Sequence, residues 1–255
     1  MLKTCISSLF ILLMMTTQAF CWEMSEFMIY VWGVPKTDNL ETKAKALADA
    51  GVTIVNWEPD KLDILQKYGL KAMVHNPTPE IAAKLSKHPA LWGYHCGDEP
   101  YPEDKFPPIA QQFIDLKKSD PNHPAFINML STTGDFLRTY MEVVKPEILS
   151  YDYYQWWWGS DRYFEKLEQL REAALLADIP LACCLEVTAN PEVERGDNTY
   201  LADNRLKLRQ SVYTALAYGV KGIEWFNASA MFKPESTELT QAGKDVKALN
   251  TELKL

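Results

Sequence analysis

The segment LWGYHCGDEP, residues 91–100, decides the fold that we expect for this chain. Its first six residues, Leu91 to Cys96, are mostly apolar or aromatic, which is typical of a short buried β-strand. A glycine and a proline then bracket the acids Asp98 and Glu99, and a turn of this composition ends a strand. The segment therefore predicts a buried strand that carries two carboxylates at its C-terminal end.

The same pattern recurs on both sides of this segment, as short apolar runs that alternate with amphipathic helical stretches. The predicted strands are Phe27–Trp32, Val52–Trp57, Lys71–His75, Leu91–Cys96, Ala125–Met129, Ile148–Tyr153, Pro180–Val187 and Val220–Phe226. The predicted helices are Asn39–Ala50, Lys61–Tyr68, Pro79–Ser86, Pro108–Lys118, Gly134–Val144, Asp161–Ala177, Asn204–Tyr218 and Glu238–Leu253. Eight such units in about 230 residues predict a single-domain α/β fold, a (β/α)8 TIM barrel of near-minimal length.

An open, doubly wound sheet is the alternative fold. It would be expected to place a glycine-rich phosphate loop after the first strand. The first strand here ends in Trp32-Gly33-Val34-Pro35, which is not such a loop.

The N-terminus has the pattern of a secretory signal peptide. Lys3 precedes an apolar stretch from Ile6 to Met15, and Thr17-Gln18-Ala19 supplies a small-x-small cleavage pattern. We therefore expect residues 1–19 to be removed, residues 26–255 to form the barrel, and the mature protein to be secreted or periplasmic. No later stretch is long enough to span a bilayer.

Composition indicates which classes of partner and cofactor to expect. The 255 residues carry a net charge of −8 without a basic cluster, so nucleic acid is not expected as a partner. The spacing of Cys21, Cys96, Cys183 and Cys184 matches no zinc pattern, and we expect buried core cysteines and no cofactor. Oligomeric state is not encoded in any feature of the sequence.

The predicted strand ends share a set of acidic, polar and aromatic residues, and barrel enzymes place their active sites at these ends. Two carboxylates and aromatic faces suit hydrolysis of a glycosidic bond in a carbohydrate substrate. Glu99 and Glu186 are the candidate catalytic residues, and Glu224 competes with Glu186 for the second role. The candidate substrate-binding residues are Trp57, His75, Asn128, Asp152, Tyr153, Trp156, Glu224 and Trp225.

Two further expectations concern His95 and the run of three tryptophans. Strand alternation places His95 on the same side as Glu99, either as a partner that tunes it or as a core histidine. Of the consecutive residues Trp156, Trp157 and Trp158, at least one should be exposed as a platform for a sugar ring.

The run from Trp92 to Pro100 resembles the fourth-strand motif of clan A glycoside hydrolases, and in particular a poorly characterised bacterial branch of such barrels. Clan members usually have Asn-Glu-Pro, and Asp98 replaces that asparagine here. The stretch from Leu208 to Ile223 is similar to the seventh helix and eighth strand of the same proteins. The resemblance spans about residues 26 to 250, and it implies that Glu99 is the acid/base and Glu186 the nucleophile.

The sequence thus predicts a secreted glycosidase that uses a retaining, two-carboxylate mechanism. Two alternatives remain open. One is a barrel that binds carbohydrate without cleaving it. The other is a metal-dependent hydrolase that uses His75 and His95, although no three-ligand metal pattern is present.

Overall fold

The computed structural model describes residues 22–130, 133–159, 161–192, 196 and 199–254, and it confirms the predicted fold. Parallel strands β1 to β8 pair in chain order and close into a barrel. Their bounds are Met28–Val31, Ile54–Trp57, Lys71–His75, Leu91–Asp98, Ala125–Leu130, Leu149–Asp152, Leu181–Glu186 and Gly222–Phe226. We call the end of the barrel where these strands terminate the mouth.

Helices α1 to α10 surround the barrel or cover its mouth. Their bounds are Leu40–Asp49, Leu62–Lys67, Pro79–Leu85, Phe106–Ser119, Asp135–Val144, Gln155–Trp158, Tyr163–Ala177, Asn204–Ala217, Ala228–Met231 and Gln241–Leu253. Side-chain caps begin several of them: Asn39 accepts a hydrogen bond from Thr42 N, and Thr240 accepts one from Gly243 N. The sequence did not predict the short helices α6 and α9, which are single turns at the mouth.

The strands alternate between two hydrophobic layers. Inward-facing side chains fill the lower barrel: Met28, Tyr30, Ile54, Met73, Trp92, Phe126, Ile148 and Ala182. Outward-facing residues such as Val31, Val55 and Ile223 pack against the helices. Gly222 fits this narrow interior because a Cβ there would lie 2.8 Å from the Met28 Cβ. Every strand therefore shows one face to the barrel interior and the other to the helices.

Strand β4 breaks this alternation near its end. His95 pairs with Phe126 of β5, whereas Asp98, three residues on, pairs with Asn128, two residues on. The extra residue forms a β-bulge around Gly97, whose φ is +155°, and a Cβ there would approach Ile127 Cδ1 to 3.2 Å. His95 and Asp98 consequently face the same way.

The bottom of the barrel is closed by Trp22. Its ring packs edge-on against Trp92, with 5.3 Å between the ring centroids. The predicted signal peptide, residues 1–19, and Cys21 lie outside the described residues. Cys183 and Cys184 are buried free thiols, as expected, and Cys96 is a half-buried free thiol. Among the described helices, none combines the length and apolar character that crossing a bilayer requires.

Candidate active site

Four carboxylic acids converge on the mouth from three strands. Asp98 and Glu99 come from the end of β4, Asp152 from the end of β6, and Glu224 from β8. The pKa shifts of Asp98, Asp152 and Glu224 arise partly from charges within this set of four. We refer to these residues as the acid cluster.

Glu99 occupies a left-handed backbone conformation directly after β4, with φ of +41°. Its backbone N–H donates to Asn128 O at 2.8 Å, which anchors the turn to β5. The side chain is exposed to solvent, and its carboxyl group contributes to raising the pKa of Asp152. A non-glycine residue held at positive φ is strained, and such strain concentrates at functional sites.

The Asp152 carboxyl is buried beside the Glu99 carboxyl, and this environment favours its protonated form. Asp152 is 3% exposed, and its pKa is raised mainly by burial and further by the Glu99 carboxyl. The buried member of this pair therefore carries the proton, and the exposed member faces the solvent. This arrangement stores one acidic proton at the mouth at neutral pH.

Glu224 lies fully buried inside the barrel. It accepts a hydrogen bond from Trp32 Nε1 at 2.9 Å and is hydrogen-bonded to Ser150 Oγ. Burial is the largest cause of the rise in its pKa to about 8, and the charge of Asp98 adds to the rise. Glu224 is thus held inside the barrel, without contact to solvent.

Glu186, the predicted nucleophile, does not join the acid cluster. It is fully buried beneath α6, where the Trp156 N–H donates to its Oε1 at 2.9 Å. Its charge raises the pKa of Cys183 and Tyr163, which lie between the sheet and the helices. Burial raises the pKa of Glu186 to about 7, and no acid of the cluster contributes to that rise.

Four predicted substrate-binding aromatic residues point away from the mouth. Trp57 and Trp225 face the helices, where Trp57 Nε1 donates to Lys61 O at 3.1 Å and Trp225 Nε1 donates to Asn250 Oδ1 at 2.8 Å. Tyr153 packs against Tyr163, and Trp156 Nε1 donates to Ser211 Oγ of α8 at 3.0 Å. Hydrogen bonds and packing hold each of these rings, so the structure does not bring them into the site.

Neighbouring aromatic residues occupy the mouth instead. Tyr154 stacks on Phe226 with 5.4 Å between ring centroids, and Trp157 and Trp158 pack around Tyr154. Trp158 is the exposed member of the tryptophan run, with 44% of its surface accessible. Trp158 and the half-buried Trp157 and Phe226 offer the flat apolar faces against which sugar rings stack, whereas Tyr154 is buried among them.

His75 and His95 lie edge to face in the mouth, with ring centroids 5.0 Å apart. Burial and the neighbouring His75 lower the pKa of His95 to about 4, so this ring is neutral near pH 7. The bulge in β4 aligns His95 with Asp98, which corrects the expectation that alternation aligns it with Glu99. In the described part of the chain, no group of three His, Cys, Asp or Glu residues could hold a metal ion.

The structure therefore brings Glu99, Asp152, Asn128, His75 and Glu224 together at the mouth. Sequence reasoning did not include Ser150 or Phe226 among the site residues. Strict alternation from Glu224 would have identified Phe226, because residues two apart on a strand face the same side. No comparable signal marked Ser150, an ordinary strand serine until Glu224 is placed beside it.

No family model matches the sequence, and no curated protein is similar enough to match it. The structure, however, superimposes on solved glycoside hydrolases. An endo-β-1,4-mannanase from Thermotoga petrophila gives a TM-score of 0.62 at 8% identity, covering 91% of this chain and 77% of the mannanase. The chain shares the (β/α)8 barrel fold of this mannanase.

Two further barrels agree with this assignment. An endo-1,4-β-mannanase from Eisenia fetida gives a TM-score of 0.57 at 10% identity, covering 88% of this chain and 91% of the mannanase. A GH128 endo-β-1,3-glucanase from Amycolatopsis mediterranei, solved with laminaritriose, gives 0.57 at 14% identity and covers 85% of this chain and 98% of the glucanase. Identities this low establish a shared fold, and the chemistry has to be argued from this chain's own residues.

Proposed function

We propose that this protein is a secreted glycoside hydrolase that cleaves O-glycosidic bonds of an oligo- or polysaccharide, with Glu99 as the acid/base. The observation that carries the proposal is the placement of the exposed Glu99 carboxyl, after β4, beside the buried Asp152 carboxyl at the end of β6. Glycosidic cleavage needs a proton for the departing oxygen at a pH where an ordinary carboxyl has lost it. A buried carboxyl that retains its proton beside an exposed one meets this need.

The chemistry divides between the two members of the pair. The proton of the pair passes through Glu99 to the glycosidic oxygen as the bond to the anomeric carbon breaks. A water molecule that later attacks the anomeric carbon returns a proton to Glu99, and the pair regains its starting state. Asp152 supports Glu99 from below as the buried, protonated member of the pair.

The second carboxylate in this proposal is Asp98. It is exposed, and Asn128 Nδ2 donates to its Oδ1 at 3.1 Å, which fixes the carboxylate beside Glu99. An anion in this position stabilises positive charge that develops at the anomeric carbon. The retaining mechanism expected from the clan A resemblance would instead require Glu186, which is buried beneath α6.

The substrate class follows from the rings around the acids. Trp158 and Phe226 provide apolar surface next to polar groups, and this combination is suited to sugar rings. The similar Amycolatopsis barrel was solved with laminaritriose, an oligosaccharide, which supports a carbohydrate ligand for this fold. Secretion rests on the signal-peptide pattern of residues 1–19.

The test compares Glu99→Gln with the wild type on a panel of aryl glycosides and polysaccharides. The variant should lose activity roughly 10²- to 10⁴-fold on natural linkages, because it removes general acid catalysis. It should lose far less on dinitrophenyl glycosides, whose leaving group needs no proton. Glu103→Gln, in the exposed segment after β4, is the matched control. Equal activity of Glu99→Gln and wild type on natural linkages would refute the proposal.

A carbohydrate-binding barrel without activity is the second candidate, and the burial of Glu186 favours it. In that case calorimetry would detect oligosaccharide binding by the wild type without release of products. Glu99→Gln would then bind as the wild type does.

A further inference from the structure

A chain of hydrogen bonds crosses the barrel from β1 to β4 through Glu224. Trp32 Nε1 donates to Glu224, Glu224 contacts Ser150 Oγ, Ser150 contacts Asn128 Oδ1 at 3.2 Å, and Asn128 Nδ2 donates to Asp98. Its members sit on β1, β8, β6, β5 and β4. The chain therefore links an aromatic ring on one side of the mouth to a carboxylate of the acid cluster on the other.

If both contacts of Ser150 are hydrogen bonds, the chain holds one more proton than its fully ionised form. A serine hydroxyl has one hydrogen, but Ser150 Oγ lies within hydrogen-bond distance of two oxygens, one of Glu224 and one of Asn128. The amide oxygen of Asn128 can only accept. If Ser150 donates to Asn128, the hydrogen between Ser150 and Glu224 has to come from a protonated Glu224 carboxyl.

The opposite orientation of the Asn128 amide does not remove this requirement. Its nitrogen would then donate to Ser150, and its oxygen would face Asp98 Oδ1, a contact that needs a proton on Asp98. One proton stays in the chain in both cases. Glu224 is its better holder, because Glu224 is fully buried whereas Asp98 is exposed to solvent.

We propose that Glu224 is a positioning residue that is protonated and neutral at neutral pH, donates to Ser150 and thereby orients Asn128 and Asp98, and that it is not a catalytic carboxylate. Glu224 also fixes the Trp32 ring through the Trp32 Nε1 hydrogen bond. One neutral acid thus holds the Trp32 ring and Asp98 in fixed relative positions. The role assigned to Asp98 rests on the proposed function, whereas the protonation of Glu224 does not.

The ionisable groups that face Glu224 support a neutral acid at this position. The groups that interact with its charge are Asp98, Asp152, Cys183, Cys184, Tyr30 and Tyr154. All of them are neutral or negative, and no cation contributes to its pKa shift. Ionisation of Glu224 would therefore add a negative charge beside other acids without compensation.

The first test measures the protonation state of Glu224 directly in the mature protein. Glutamate labelled with ¹³C at the carboxyl carbon gives one resonance per residue, and Glu224→Gln identifies the one that belongs to Glu224. We expect that resonance at the position of a protonated acid at pH 6.5, with Glu103→Gln as the control for assignment. A resonance at the carboxylate position would overturn the proposal, whatever the enzyme activity proves to be.

The second test compares a variant that keeps a hydrogen-bond donor at position 224 with one that removes it. Glu224→Gln replaces the donating hydroxyl with a donating amide, so its melting temperature at pH 8.5 should equal or exceed that of the wild type. Glu224→Ala should melt several degrees lower and lose at least tenfold more glycosidase activity than Glu224→Gln. If both variants lose stability and activity equally, Glu224 acts as a carboxylate and the proposal fails. If no variant is active but the ¹³C result holds, only the proposed function fails.

Discussion

Two carboxylates of this barrel, Glu99 and Glu186, stand at the C-terminal ends of β4 and β7 and have opposite surroundings. Glu99, after β4, is exposed and lies beside the Asp152 carboxyl, whereas Glu186, at the end of β7, is covered by α6 and held by the Trp156 N–H. Both stand where barrel glycosidases are expected to carry catalytic acids. The difference shows that a position at a strand end does not define a role, because the loop that follows decides whether the side chain meets solvent.

The largest expected effect separates the acid cluster from Glu186. Asp98→Asn should reduce kcat roughly 10²- to 10³-fold, because it removes an anion beside the reacting carbon. Glu186→Gln should leave kcat and KM near the wild-type values, because its carboxyl lies beneath α6. Both variants exchange one carboxylate oxygen for an amide nitrogen, so each controls for the other. The reverse ranking would make Glu186 the second catalytic carboxylate.

The next effect concerns stability. The pKa of Glu186 is raised from 4.5 to about 7, so the folded state keeps a proton that the unfolded state releases between these pH values. Stability therefore declines as pH rises through this window, by about 3 kcal/mol for this group. Glu186→Gln lacks this proton, and denaturant unfolding at pH 5 and pH 8 should show a smaller decline. Parallel pH dependence in the two proteins would contradict the assigned burial.

The smallest effect distinguishes the two faces of β8. Phe226→Ala should raise KM up to about tenfold, because it removes a stacking face from the mouth. Trp225→Phe should leave KM unchanged and lower stability by about 1 kcal/mol, since it deletes the hydrogen bond to Asn250. Kinetics and unfolding of each variant check both statements. A change in KM for Trp225→Phe would place that ring in the site after all.

The sequence predicted the barrel well because its signals are periodic. The bounds of β3 agree with the prediction, and those of the other strands differ by one or two residues at most of their ends. These errors at the ends matter little for the fold, because burial of the apolar runs fixes the strand order. They matter more for the site, where a shift of one residue turns a side chain to the other face.

Three predicted substrate-binding residues face the helices because of such a one-residue shift. In each case the adjacent residue faces the mouth. Asn56 does so beside Trp57, Tyr154 beside Tyr153, and Phe226 beside Trp225. Glu224 and Trp225 are adjacent on one strand and could not both have faced inward. Two tertiary features that shape the site have no local sequence signature. They are the bulge around Gly97 and the cover that α6 forms over Glu186.

The position of Trp22, which closes the bottom of the barrel, has a practical consequence. The described chain begins on the side opposite the mouth, so an affinity tag or surface anchor attached ahead of Trp22 would leave the mouth facing away from the support. An immobilised preparation oriented in this way would keep free access for long polymeric chains. Attachment through a flexible linker would also spare the Trp22–Trp92 contact.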